Sequence, residues 1–294
     1  MVSWKEDQAA GLRRLFCRRR QVPAVAFLAP TAGRHQPLLV ARCASELAGR
    51  GQSVLVLDEL AAAQGVATAL GACSRFDLAQ AVQGDVALDK TVVRPAEGIR
   101  VVTLSRLCAG LDQGSTAVRK RALAMLEKLQ ADADWVLIQA ASAASGGAGG
   151  LSRLAMAADC QVLAIPSVSV ALTDAYRLIK RFALETEQRR FRVAFTEGRE
   201  ARQVPALFAN LRDVAETYLD VRLEAFFEPG ATGTHVESAY APGAIHGAHA
   251  AAVTSLFTSP FAQTPDGLVR RLTAMLAGLP QGGAAWSSTS PVPA

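Results

Sequence analysis

The sequence predicts an α/β protein built on one doubly wound, mostly parallel sheet, and three observations support this prediction. Short, continuously apolar segments alternate with longer segments whose apolar residues recur at helical spacing. The connections between these segments are short, as they are in crossover units. The first unit, residues 24–58, reads as strand, loop, helix and strand, which is how a nucleotide-binding α/β domain begins.

Composition limits the classes of protein that the chain can belong to. Its 294 residues, half of them hydrophobic, are enough for a large core. The net charge of +5 is too small for a dedicated nucleic-acid binder, so we expect no direct nucleic-acid contact. Because the N-terminus lacks an apolar signal core and no apolar run reaches about 18 residues, we expect a cytoplasmic protein.

The cysteines and histidines do not form a metal or redox motif. The five cysteines are Cys17, Cys43, Cys73, Cys108 and Cys160. None forms a CxxC pair or stands beside a histidine, so we expect reduced, buried thiols and no metal site. His246 and His249 are three residues apart, but they lie in a Gly/Ala-rich segment that is a poor metal-binding context.

The chain is predicted to begin with a helix over residues 3–20, ahead of the first core strand. Ser3 and Glu6 have the spacing of a capping box, and basic residues 18–20 suit the helix C-terminus. An α/β sheet does not need this helix for its completion. We therefore assign residues 1–21 to a candidate partner-binding arm.

The remaining elements follow in order and place the α/β domain at residues 22–230. Strands are predicted at residues 99–104, 135–139, 160–166 and 192–195. Helices are predicted at residues 60–71, 76–83, 114–130, 172–187 and 204–219. A glycine-rich loop is predicted at residues 145–150.

Residues 231–280 are predicted to form a loose loop followed by a C-terminal helix, and residues 281–294 a disordered tail. The helix, at residues 265–279, has leucines on one side and Arg270 and Arg271 beside them. It either covers the core or lies on a membrane surface. We favour the core, because two arginines and a short apolar face are marginal for lasting membrane attachment.

The loop of the first unit, residues 30–37, has lost most of what a phosphate-binding loop requires. Its sequence is PTAGRHQP, whereas a phosphate loop reads GxxxxGK[ST]. Gly33 is retained, the lysine and the hydroxyl are missing, and Arg34 supplies the loop's cation. Asp58, at the end of the second strand, is interpreted either as a surviving magnesium-site carboxylate or as a capping aspartate.

Four collinear segments between residue 7 and about residue 227 resemble the MinD/ParA-type ATPases, and within them the FlhG/FleN regulators of flagellar number. They are DQAAGLR at residues 7–13, RGQSVLVLD at 50–58, LTDAYRLIK at 172–180 and FANLRDVAETYL at 208–219. The resemblance implies a P-loop NTPase fold.

Position by position, the resemblance also implies that the ATP chemistry is lost. The family's signature lysine falls on Thr31, its phosphate lysine on Gln36 and its magnesium-binding hydroxyl on Pro37. Its Walker B aspartate falls on Gln139, the second aspartate of its DxD on Leu60, and its adenine-reading asparagine near Thr196. We therefore expect no catalytic residue, no metal and no cofactor. Weak binding of ATP and magnesium by the relic loop is disfavoured but left open for Gly33, Arg34, Gln36 and Asp58.

The resemblance assigns partner binding to the arm. In the family this segment contacts the FlhF GTPase, which here points to Asp7, Gln8, Ala9, Leu12 and Arg13, with Gln8 nearest the chemistry. The expected function is that of a non-hydrolysing regulator of flagellar assembly and number. Its body would be a scaffold for basal-body components or a flagellar transcriptional activator.

Two alternatives stay open. One is an active or weakly active ATPase in which Arg34 or groups from a partner replace the lost lysines. The other is a MinD-like scaffold for division, polar localisation or polysaccharide secretion. Weak association with the inner-membrane surface is compatible with all three.

Overall fold

The computed structural model describes residues 21–141, 151–167, 170–196, 203–225 and 267–279. These residues form one sheet with the strand order β3-β4-β2-β5-β1-β6-β7-β8. The strands are β1 (Ala24–Leu28), β2 (Val54–Asp58), β3 (Val92–Ala96), β4 (Ile99–Thr103), β5 (Trp135–Gln139), β6 (Cys160–Pro166), β7 (Arg190–Thr196) and β8 (Arg222–Ala225). All neighbouring strands run parallel except β3 and β4.

Helices cover both faces of the sheet. They are α1 (His35–Gly49), α2 (Val66–Ala69), α3 (Leu78–Gln83), α4 (Ser105–Leu111), α5 (Thr116–Gln130), α6 (Arg153–Ala157), α7 (Ala171–Glu185), α8 (Val204–Leu219) and α9 (Leu268–Ala277). Short 3-10 turns lie at Ala62–Gln64 and Leu88–Thr91. The predicted doubly wound, mostly parallel α/β fold is confirmed.

The central strands are apolar without alternation because the sheet is buried on both faces. On one face, Phe27 and Val56 pack against Leu39 and Val40 of α1. On the other, strand residues join helices α3 to α9 in a second, larger core. There Phe182 of α7 meets Phe191 of β7 edge to face, with ring centroids 6.1 Å apart.

The helix predicted at residues 60–71 was wrong in its extent. A 3-10 turn and the single-turn helix α2 take its place, with Gly65 between them in extended backbone. A Cβ atom on Gly65 would clash with the carboxylate of Asp58, which also accepts the N–H of Val66. The contact of Asp58 with the backbone at Gly65 and Val66 separates the two elements: the 3-10 turn ends at Gln64, and α2 begins at Val66.

Four elements were not predicted, and two of them are edge strands. They are β3, β8, α4 and α6. β3 contains Arg94 and Pro95 and is only partly buried, as a protected edge strand often is. β8 follows α8 through Asp220, whose φ of 51° lies in the left-handed region that turns the chain back to the sheet.

The C-terminal helix α9 packs its apolar face against α5 and α6. Leu268, Leu272 and Leu276 are buried in the larger core. Arg271 donates to the Ala157 carbonyl at the end of α6, at 2.6 Å. The helix therefore covers the core, which is the alternative that the sequence favoured.

Among the described residues, no helix has the length and hydropathy of a membrane span. The helix predicted at residues 3–20, the glycine-rich loop at 145–150, the loop beginning near residue 229 and the tail at 281–294 lie outside the described ranges. Cys43 and Cys160 are buried as expected, whereas Cys73 is exposed.

The chain enters β1 at the amino ends of the parallel strands. The N–H of Ala24 donates to the Asp159 carboxylate at 2.8 Å, and Asp159 also pairs with Arg271 at 2.8 Å. The N–H of Val136 donates to the carbonyl of Pro23. Residues 21–24 therefore lie at the amino ends of the strands, opposite to the carboxyl ends that carry residues 30–37.

Candidate functional site

Residues 30–37 lie at the carboxyl end of β1, where an open parallel sheet presents its ligand site. Helix α1 begins at His35, with Arg34 as an N-cap residue whose side chain makes no capping hydrogen bond. The first helical backbone bond runs from Leu38 N–H to the Arg34 carbonyl. Pro37 lies within this first turn, so one N–H that would face an anion is missing.

Gln36 is buried beneath the loop and connects two strands through its side-chain amide. Its Nε2 donates to the carbonyl of Phe27 on β1 at 2.7 Å and to the carbonyl of Ala140 after β5 at 2.9 Å. Both amide hydrogens are therefore committed to the chain itself. The resemblance places the phosphate lysine at this position. Here the position carries a neutral side chain that links β1 to the segment after β5.

Gln139, at the carboxyl end of β5, is fully buried on the same face of the sheet as Phe27. Neither atom of its side-chain amide has a hydrogen-bond partner among the described residues. An amide carries no charge with which to hold a magnesium ion. The resemblance places the Walker B aspartate at this position.

Asp58 closes β2 and is buried, with both carboxylate oxygens accepting backbone N–H groups. Oδ1 accepts from Leu60 at 3.0 Å, and Oδ2 accepts from Val66 at 2.6 Å. Burial raises the pKa of this carboxyl to about 6, while the two backbone hydrogen bonds act in the opposite direction. In this geometry Asp58 holds the β2–α2 connection, as a capping aspartate does.

The raised pKa of Asp58 predicts a pH dependence of stability. The pKa of the Asp58 carboxyl is about 6 in the native state, against an ordinary value of 3.8. Between these two pH values the carboxyl is protonated in the native state and ionised in the unfolded state, so the native state binds more protons. The free energy of unfolding therefore falls as pH rises from about 4 to about 6. Over this pH range the free energy of unfolding of wild type should fall by up to about 3 kcal/mol relative to that of Asp58→Asn. Urea unfolding series at several pH values measure the difference.

Asp89→Asn, a change at an exposed acid, is the control for that series. Its curve should run parallel to that of wild type. Parallel curves for wild type and Asp58→Asn would contradict the assignment of the pH dependence to Asp58.

Glu59, which the sequence analysis did not single out, is also buried at this edge. Its Oε1 accepts from Ser152 Oγ at 2.6 Å and from the Cys108 thiol at 3.7 Å, and its Oε2 accepts the N–H of Ala141 at 2.9 Å. Burial raises the pKa of Glu59, and these hydrogen bonds lower it. The sequence signal that could have identified Glu59 is its position directly after Asp58 at the end of β2. Neighbouring residues on a strand point to opposite faces, so two adjacent acids there place one carboxylate on each face of the sheet.

The other predicted residues of the loop are more accessible. Gly33 and Arg34 are exposed, and a Cβ on Gly33 would clash with the His35 ring. Burial lowers the pKa of His35, while the backbone of Ala164 acts against this shift. The arm residues Asp7, Gln8, Ala9, Leu12 and Arg13 lie outside the described ranges.

The structure thus brings Gln36, Asp58, Glu59 and Gln139 together at one edge of the sheet. The two carboxylates and the Gln36 amide already have partners within the chain. Arg34 is the cation of residues 30–37, and it lies on the surface. In the described ranges, no group of three or more His, Cys, Asp or Glu side chains is arranged to hold a metal ion.

No family model matches the chain, and a comparison with curated proteins finds no match. Solved structures do share its fold. The MinC:MinD cell division protein complex of Aquifex aeolicus matches with a TM-score of 0.51 at 14% identity, over 68% of this chain and 79% of that one.

Two solved structures from Borrelia burgdorferi, both titled as plasmid partition protein, match over 81% of this chain and 98% of theirs. One has a TM-score of 0.50 at 10% identity, and the other, bound to AMPPNP, has a TM-score of 0.51 at 11% identity. The strand order of the sheet, the helices on both of its faces and these similarities all indicate the same fold. The chain has the fold of the MinD/ParA-type P-loop ATPases.

Proposed function

We propose that this protein is a non-hydrolysing, FlhG-like regulator of flagellar assembly that binds an FlhF-type GTPase through residues 7–13. The observation that carries the proposal is the double hydrogen bond from Gln36 Nε2 to the carbonyls of Phe27 and Ala140. It gives the phosphate-loop position a structural role. The flagellar assignment rests on the sequence resemblance of the four collinear segments.

The expected loss of ATP hydrolysis follows from the charges of the side chains at the carboxyl ends of the parallel strands, which we call the carboxyl edge of the sheet. Phosphoryl transfer depends on positioned cations and metal-binding carboxylates around the transferred group. Gln36 and Gln139 are neutral, and Asp58 already accepts two backbone N–H groups. A body of this kind offers a nucleotide-independent platform for partners.

The position of residue 21, where the described chain begins, supports a partner contact that needs no ATP. Residue 21 lies at the amino ends of the strands, and the relic loop lies at their carboxyl ends. The length of β1 separates the two. A GTPase that contacts residues 7–13 can therefore be regulated without any chemistry at the loop.

The test is GTP turnover by the FlhF-type GTPase encoded in the same genome, measured with the full chain. We expect the chain to stimulate turnover, and to do so equally with and without Mg-ATP. Gln8→Ala should abolish most of the stimulation, because Gln8 matches the arm position nearest the chemistry. Gln64→Ala, at an exposed glutamine of the body, should stimulate as wild type does.

Two outcomes would overturn the proposal. Stimulation that survives Gln8→Ala would remove the arm from the mechanism. No stimulation by the wild-type chain would remove the FlhF-type partner, and with it the flagellar assignment.

The second candidate is a nucleotide-dependent scaffold of the MinD/ParA type, acting in division, polar localisation or polysaccharide secretion. Its specific support is Arg34, an exposed guanidinium at the N-cap of α1, where a phosphate could reach it. Stimulation or self-association that appears only with Mg-ATP, and is lost in Arg34→Ala, would favour this candidate.

A further inference from the structure

The end of β2 carries two adjacent carboxylates that point to opposite faces of the sheet. Asp58 contacts the N-terminus of α2, which belongs to the smaller core. Glu59 contacts Ser152 and Cys108, which precede or belong to helices of the larger core. The proposed function uses Asp58 only as a carboxylate whose oxygens are already occupied, and it gives Glu59 no role.

Glu59 contacts both ends of the connection between β5 and α6. The N–H of Ala141, two residues after β5, donates to Oε2, and the hydroxyl of Ser152 donates to Oε1. Ser152 is also the N-cap of α6, because its Oγ accepts the N–H of Ala155 at 3.0 Å. One carboxylate therefore holds the point where the chain leaves the sheet and the point where the next helix begins.

The burial of Glu59 argues against a role in packing alone. A buried carboxylate is costly unless its oxygens are satisfied, and an apolar residue of the same size packs without that cost. Three neutral groups donate to Glu59: the backbone amide of Ala141, the hydroxyl of Ser152 and the thiol of Cys108. Such an arrangement is geometrically demanding, because each oxygen must face its own donor.

We propose that Glu59 is a positioning residue that fixes both ends of the β5–α6 connection from within the chain, without a nucleotide. Asp58 does the same for the β2–α2 connection on the opposite face. The two carboxylates give the carboxyl edge a fixed geometry. Glu59 would have this role whether or not the chain acts in flagellar assembly or binds a GTPase.

Amide hydrogen exchange, followed by NMR on the full chain, tests the proposal with the variants Glu59→Leu and Asp58→Asn. Glu59→Leu removes both acceptor oxygens and leaves the N–H of Ala141 and the hydroxyl of Ser152 without them, so exchange at Ala141 and Ala155 should accelerate about tenfold or more. Exchange at Leu60 and Val66 should stay unchanged. Asp58→Asn is the matched control, and it should produce the reverse pattern.

Two outcomes would overturn the proposal. Equal acceleration at all four amides in Glu59→Leu would indicate general destabilisation, and no acceleration at Ala141 would show that the contact does not hold the chain. A double-variant cycle adds a second measurement. Exchange at Ala155 should be no faster in Glu59→Leu/Ser152→Ala than in Ser152→Ala alone, and full additivity would show that the two residues do not act as a unit.

Discussion

Replacing Gln36 with leucine is expected to lower the free energy of unfolding by about 2 kcal/mol, although leucine fits a buried site. The substitution removes both donors to the carbonyls of Phe27 and Ala140. Phe27 O keeps the N–H of Ala140 at 3.1 Å, so the Ala140 carbonyl bears most of the loss. Urea unfolding monitored by circular dichroism measures the change.

Gln113→Leu, at an exposed glutamine after α4, is the matched control and should change stability by less than about 0.5 kcal/mol. A Gln36→Leu variant as stable as wild type would show that the cross-link adds nothing to the fold. Position 36 would then have no structural role.

The parallel strands were predicted closely because their burial leaves a simple signal. β5 and β6 are apolar except for Gln139 and Gln161, and both have the predicted bounds. β3 and β8 gave no such signal, since each lies at an edge of the sheet and exposes part of its side chains. β8 pairs with β7 across the intervening helix α8, which local sequence does not show. β3 pairs with β4 across the short turn at Glu97 and Gly98, but Pro95 within β3 counts against a strand in the sequence.

The candidate site was predictable in what it lacks and less so in what its residues do. The sequence shows that position 36 is not lysine. It does not show that the Gln36 amide reaches Ala140, which is 104 residues away along the chain. A contact of that separation is set by the fold. The capping role of Asp58 was among the predicted alternatives, because an aspartate at a strand end often accepts nearby backbone N–H groups.

The central strand β1 is held by a polar side chain at each end. At its start, Asp159 accepts the N–H of Ala24, and at its end Gln36 donates to the carbonyl of Phe27. Gln36 therefore holds the carboxyl end of β1 from within the chain, as Asp159 holds its start.

Replacing Leu272 with alanine is expected to lower the free energy of unfolding by about 3 kcal/mol. Leu272 is fully buried and belongs to the larger core, between Leu268 and Leu276 on the inner face of α9. Arg119 of α5 donates weakly to the carbonyls of Leu276 and Leu279, and Arg271 pairs with Asp159. These contacts tie α9 to the body, so a cavity beneath α9 should weaken the whole domain.

Thr273→Ala, on the exposed side of the same helix, is the control for Leu272→Ala. Thr273 Oγ1 donates to the carbonyl of Val269 within α9, a contact that does not join the helix to the sheet, so the change should stay within about 0.5 kcal/mol. A single cooperative transition that shifts in Leu272→Ala would show that α9 unfolds with the sheet. A separate early transition, with the main midpoint unmoved, would show instead that α9 detaches independently, and its role as a cover of the core would be wrong.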